Sequence, residues 1–239
     1  MWRKWHLSYF VLAAALLPAC NNYDLKEKLE NPGGATAEKF TDRLFAFVTT
    51  AVTKGDMQGL VAGNCGGTGI VRADCVCQQL AQTNGRRMNS NSRFVAWLSQ
   101  AAPDPRDMRC RIQGLSGAAC ALPSVNLTWY NTNFQPVFSG ILGAPTTGAE
   151  LFTTFGATTL PASLKFTESG SLLTGGQLAW TGTNTTGNSP GTNDCNNWAD
   201  ATNTPFGQNG ISDALNNSWT QNNTATCGTD LHLYCFALP

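Results

Sequence analysis

Nine cysteines and a run of arginines are the side chains here with the most chemistry to offer. One thiol stands apart. Cys20 closes the tetrapeptide Leu17-Pro18-Ala19-Cys20, behind an apolar run from Leu7 to Leu17 and a basic start containing Arg3 and Lys4. A run that short reads as a secretory signal and not as a permanent membrane helix. Small residues followed by cysteine form the lipobox pattern, in which cleavage makes Cys20 the first residue and lipid is attached to its sulfur and amine. Setting Cys20 aside leaves Cys65, Cys75, Cys77, Cys110, Cys120, Cys195, Cys227 and Cys235. That is an even set, and export permits disulfides.

The arginines come next. Arg86, Arg87, Arg93, Arg106, Arg109 and Arg111 fall within 26 positions, opposed only by Asp104 and Asp107. Guanidinium forks suit carboxylate and sulfate groups, so an acidic protein patch or a glycosaminoglycan is the expected partner. The plainer reading is a solvated face with local Arg–Asp pairs.

Catalysis is poorly supplied. His232 is the one histidine left after the signal, in a strand pattern beside Tyr234, and reads as a structural residue. Nucleophilic catalysis with a histidine base would have to use it. No enzyme activity, cofactor or metal is expected. One histidine and a C-x-C do not make a zinc set. Gln135-Pro136-Val137 and Asn193-Asp194-Cys195 are incomplete versions of the tripeptides with which calcium lectins bind sugar. A calcium ion needs six to eight oxygens, and no motif here assembles them. Formal net charge is zero with 13% charged residues, so nucleic-acid binding has no global electrostatic basis.

The 239 residues fit one domain with a leader and a tether. Residues 1–19 are the signal. Residues 20–39 are the lipidated start and a polar tether containing Asn31-Pro32-Gly33-Gly34, and residues 40–239 are the domain. Leu44 to Val52, Phe94 to Ser99, Gln177 to Thr183 and Leu231 to Leu238 read as strands. Ile70 to Asn84 has helical spacing, with Ala73, Cys77, Leu80 and Ala81 on one face and Gly85 as a stop. Residues 75 and 77 stand about 200° apart on such a helix, so Cys77 faces the core and Cys75 faces away. Pro103 to Cys120 reads as irregular, and the stretch beyond Thr146 as turn-rich loops. Trp97 and Trp180 sit in strand patterns. Trp129 and Trp219 lie among polar residues, where they either pack loops onto the core or form exposed partner anchors.

Several segments, in order, carry a resemblance. They are Phe47-Val48-Thr49-Thr50, Gly63-Asn64-Cys65-Gly66-Gly67, Ala73-Asp74-Cys75-Val76-Cys77-Gln78 and Phe94-Val95-Ala96-Trp97-Leu98-Ser99. Trp180-Thr181-Gly182-Thr183, Cys195-Asn196-Asn197-Trp198, Cys227 and Leu233-Tyr234-Cys235-Phe236 follow. Together with the lipobox, the set resembles the leptospiral endostatin-like surface lipoproteins, a branch of the C-type-lectin-like fold. The resemblance implies an α+β domain with short strands, an early helix and long disulfide-stapled loops. It also implies the pairs Cys77–Cys235 and Cys195–Cys227. The other four cysteines depart from the shared pattern. Cys75 points back toward the glycine turn holding Cys65, and Cys110 and Cys120 flank Gly114 and Gly117, which gives Cys65–Cys75 and Cys110–Cys120. Eight cysteines allow on the order of 100 connectivities.

The function implied is adhesion at the outer-membrane surface, with the ligands laminin, fibronectin, complement factor H and plasminogen. A carbohydrate-binding lectin and a structural envelope lipoprotein are the alternatives.

Overall fold

A computed structural model describes residues 43–59, 65–83, 88, 92–102, 104–118, 120, 128–138 and 160–239. The signal, Cys20, the tether, Arg86 and Arg87 lie outside the described residues. Among the described residues, no helix is long and apolar enough to cross a membrane.

The protein is a mixed α and β chain in which strands dominate. Its elements run β1 (Leu44–Val48), α1 (Gly69–Thr83), β2 (Phe94–Ala96), α2 (Met108–Arg111), β3 (Trp129–Asn131), β4 (Pro136–Phe138), β5 (Leu178–Trp180), β6 (Phe206–Ile211), β7 (Asn223–Thr226) and β8 (His232–Ala237). The strand order is β4-β3-β1-β8-β5-β6-β7, with β2 also pairing β8. β8 is the axis of the sheet. One edge takes β1 antiparallel, with Phe47 opposite Cys235. The other edge is shared: β5 runs parallel along His232 and Leu233, and β2 runs antiparallel along Cys235 to Ala237.

Both faces of this sheet are covered, which is why its strands lack polar alternation. Phe45, Phe47, Phe94, Ala96, Leu233 and Cys235 point to one core, where they meet Ile70, Ala73, Val76, Cys77 and Ala81 of α1. Ala46, Val48, Val95, Tyr234 and Phe236 point to a second core with Trp97, Trp129, Val137 and Trp219. Full burial of each large side chain contributes roughly 1.5–3 kcal/mol.

α1 is also tied to the sheet by polar bonds. Gln78 Oε1 accepts from the Phe94 amide at 2.8 Å, and Asp74 Oδ1 accepts from the Ala96 amide at 2.9 Å. Of the apolar face expected of this helix, Ala73, Cys77 and Ala81 are buried and Leu80 is half-buried, and Gly69, Ile70 and Val76 are buried with them.

All four disulfides form: Cys65–Cys75, Cys77–Cys235, Cys110–Cys120 and Cys195–Cys227. Cys77 lies in the core beside β8, while Cys75 turns back to the loop before α1.

Trp97, Trp129, Trp180, Trp198 and Trp219 are all buried. Packing, not exposure, is therefore the use of Trp129 and Trp219. Four indole N–H groups also fasten loops. Trp129 donates to Ala237 O at 2.8 Å, Trp180 to Thr53 O at 2.8 Å, Trp198 to Ser99 O at 2.8 Å and Trp97 to Thr220 Oγ1 at 2.9 Å.

Candidate functional site: an arginine-lined pocket

Three of the six arginines converge. Arg93 enters β2, Arg106 lies in the loop that follows it, and Arg111 ends α2. Their side chains line one cavity of about 200 Å³, with Asp74 of α1 beside them. Val95, Leu115 and Leu238 supply its apolar wall.

The elements place these groups by backbone bonds. The Leu238 amide donates to Arg93 O at 2.7 Å, tying the start of β2 to the end of β8. Gln100 and Arg106 exchange amide bonds at 3.0 and 2.9 Å, closing the loop between them. Asp107 precedes α2 in extended backbone, and the Met108 amide donates to Ser99 Oγ at 2.9 Å. The Cys110–Cys120 bond holds the following turn, where Leu115 stands 50% exposed at the pocket.

The three guanidinium groups differ in what already holds them. Arg111 is 6% exposed. Its Nη1 donates to Ala96 O at 2.7 Å and to Leu98 O, and its Nη2 to Asp74 Oδ1. Those bonds use three of its five N–H groups, leaving Nε and one Nη2 hydrogen. Arg106 pairs with Asp104 at 2.7 Å in a partly exposed bridge. Arg93 is exposed and has no ion-pair or side-chain hydrogen-bond partner among the described residues. Counting Asp74 and Asp104 against the three arginines leaves one net positive charge.

Arg109 is not part of this site. Its amide donates to Gly187 O at 3.1 Å, and its Nε stands 3.8 Å from Asp107 Oδ2. The arginine run is thus split by the fold into a pocket and a separate loop contact.

No protein-family model matches the chain, and no curated protein does.

The other chemistry-bearing residues are engaged internally. His232 is 8% exposed, and its Nδ1 lies 2.7 Å from Thr49 O. A carbonyl only accepts, so Nδ1 carries the proton in the neutral ring. The loop from Thr183 to Asn197 uses several of its side-chain oxygens on backbone amides, in the loop itself and at Ala101 and Ala102. Asn184 Oδ1 accepts from the Thr186 and Asn188 amides at 2.9 and 3.0 Å. Asp194 accepts from the Asn197 and Ala101 amides, both at 3.0 Å. Gln135-Pro136-Val137 sits at the β3–β4 turn, where Val137 is buried. Among the described residues, no group of three His, Cys, Asp or Glu side chains is placed to hold a metal.

Sequence reasoning missed Asp74, Leu115 and Leu238 as pocket residues. For Asp74 a signal existed. Asp74 and Gln78 are four apart on α1, a polar pair beside its apolar face, as a helix needs when it must bond a strand edge. Leu115 and Leu238 are far apart in sequence, and nothing local joins them.

Proposed function

We propose that the chain is a lipid-anchored protein of the outer-membrane surface that binds host matrix and plasma proteins, with Cys20 as the lipidation site. Its domain is C-type-lectin-like in the endostatin-like manner, and it works as a binding module without enzyme activity, cofactor or metal. The ligand classes are those of the resemblance: laminin, fibronectin, complement factor H and plasminogen. One observation carries the reading. The eight cysteines beyond Cys20 are consumed in four disulfides. This is the condition of an exported chain, and it leaves Cys20 as the ninth thiol. The pairs Cys77–Cys235 and Cys195–Cys227 are also those that the resemblance implies. The convergence of Arg93, Arg106 and Arg111 on one open pocket supports contact with acidic groups.

Surface plasmon resonance of the oxidised protein, residues 21–239, on immobilised laminin tests this. The runs are made at low and high salt, with and without a calcium chelator. Saturable binding that weakens with salt and ignores the chelator is the expected result. Absence of binding under every condition removes laminin as a partner. Binding lost only with chelator puts the lectin reading in its place.

A further inference from the structure

The pocket formed by Arg93, Arg106 and Arg111 has a chemistry more specific than a basic face. We propose that it is a carboxylate subsite, taking one carboxylate on an aliphatic stem from a protein partner. This rests on the reading of the chain as a protein-binding module.

Charge sets the first limit. Asp74 bonds Arg111 and Asp104 bonds Arg106, while Arg93 has no such partner among the described residues. The surplus is one positive charge, which matches a monoanion. Arg111 is fixed at the site by Asp74 and two backbone carbonyls, so its remaining N–H groups are held in place before any ligand arrives. A guanidinium held in this way loses little freedom on binding, which favours a planar, two-oxygen acceptor. Arg93 is free to swing over the same group and close the charge.

The wall sets the second limit. Val95, Leu115 and Leu238 make an apolar side to the cavity. A sulfate has no stem to cover that wall, whereas a carboxylate on an aliphatic chain does. Size sets the third. About 200 Å³ is below the range of roughly 300–1,000 Å³ typical of small-molecule sites, so a single side chain or a chain terminus fits better than a free metabolite.

The test uses the full chain, oxidised and held in detergent. It is titrated with 4-methylpentanoate, with the uncharged 4-methylpentanamide and with sodium sulfate, following the Nε–H resonances of Arg93, Arg106 and Arg111 by NMR. The carboxylate is expected to shift them saturably and the amide to leave them unmoved. Arg93→Gln is expected to weaken the carboxylate roughly tenfold, the loss of one charge-assisted hydrogen bond. Leu115→Asp, at an exposed position, places a repelling charge at the mouth and is expected to weaken it at least as much, with an unchanged urea midpoint as the check that the fold is kept. Arg111 is left alone because the fold also depends on it. Equal binding of the amide, tighter binding of sulfate, or no saturable shift overturns the proposal.

Two blocked peptides separate the sources: one with an internal glutamate and an amidated end, the other with a free C-terminal leucine. Binding of either supports the subsite and identifies its source, and failure of both overturns it. Laminin binding is measured on the same variants. Carboxylate binding without laminin binding removes laminin as the partner and keeps the pocket. Laminin binding unchanged by Arg93→Gln and Leu115→Asp keeps adhesion and defeats the pocket as its contact.

Discussion

His232 shows how burial sets the chemistry of a single side chain here. Desolvation holds its pKa below the ordinary imidazole value of 6.5, against the Thr49 and Ala51 carbonyls and the Glu168 charge, which act to raise it. The folded state therefore favours the neutral ring, with Nδ1 donating to Thr49. In the unfolded chain the ring titrates near 6.5. The unfolded state then binds more protons as pH falls below that value, so stability is full above about 6.5 and is lost as pH falls through the lower folded pKa. Other perturbed groups act elsewhere on the scale. Burial pushes the Tyr234 hydroxyl well above 10, so it stays neutral. The Thr202 hydroxyl, followed by its amide, holds Asp200 below 3.8, so any contribution from that carboxylate disappears only in stronger acid. Urea unfolding between pH 8 and 5 is expected to show the protein weakening below about 6.5. His232→Asn keeps a donor for Thr49 O but cannot titrate, and is expected to flatten the slope. An unchanged slope in that variant would assign the dependence to another group.

At the scale of elements, the turn Cys195–Trp198 is held in a backbone conformation that most residues avoid. Its four residues have φ of 51°, 53°, 62° and 59°. This is a left-handed helical turn, which costs roughly 1–2 kcal/mol per residue for most side chains and less for asparagine, whose short polar side chain bonds locally. Its ties include the Cys195–Cys227 bond, Asp194 accepting from the Asn197 amide at 3.0 Å, Asn197 Oδ1 accepting from the Ala102 amide at 3.0 Å, and the Trp198 indole on Ser99 O. Asn196 is exposed and contributes one side-chain bond, to Asp200. Asn196→Val is expected to cost about 1–2 kcal/mol and Asn196→Gly to be close to neutral, read as denaturation midpoints. Equal costs would mean that the turn carries no strain at this position.

The same scale shows what the sequence made legible. α1 and the cores of β1, β2, β5 and β8 were readable because packing against apolar neighbours leaves a periodic or continuous apolar signal. Their ends were not. β2 stops at Ala96 because the Leu98 amide turns back onto Ala96 O at 2.8 Å. β6 and β7 read as loops because Phe206-Gly-Gln-Asn-Gly-Ile and Asn-Thr-Ala-Thr carry little apolar surface. Their glycines serve close approach instead. A Cβ on Gly207 would stand 2.8 Å from the Trp180 ring, and one on Gly210 would overlap the Trp219 carbonyl. β3 and β4 were hidden for another reason: each is three residues long, too short to show a period, and Trp129 looks like a loop anchor until Ala237 is brought beside it. The pocket is a further case. Neighbouring arginines divide between this pocket and another contact because α2 turns Arg111 inward and sets Arg109 against the loop at Gly187.

For the whole molecule, the disulfides divide the work by the length of chain they close. Cys77–Cys235 spans 158 residues and joins α1 to the central strand, while Cys195–Cys227 spans 32 and the remaining two span 10 each. By unfolded-chain entropy these contribute about 5, about 4 and about 3 kcal/mol respectively. The Cys110–Cys120 and Cys195–Cys227 loops lie within the larger one, but shortening a long loop by about a quarter changes its closure entropy very little, because the dependence is logarithmic. Long-range order depends on the same connection, since β1 and β8 bring opposite ends of the domain together. Replacing both Cys77 and Cys235 by Ala is therefore expected to lower the urea midpoint most, the Cys195 and Cys227 pair less, and the Cys65–Cys75 and Cys110–Cys120 pairs least. Loss of Cys110–Cys120 should act locally, loosening the turn that carries Leu115 and weakening carboxylate binding more than global stability. If instead removing Cys65–Cys75 cost as much as removing Cys77–Cys235, loop length would not govern this fold. Stabilisation would then lie in the native packing around each bond.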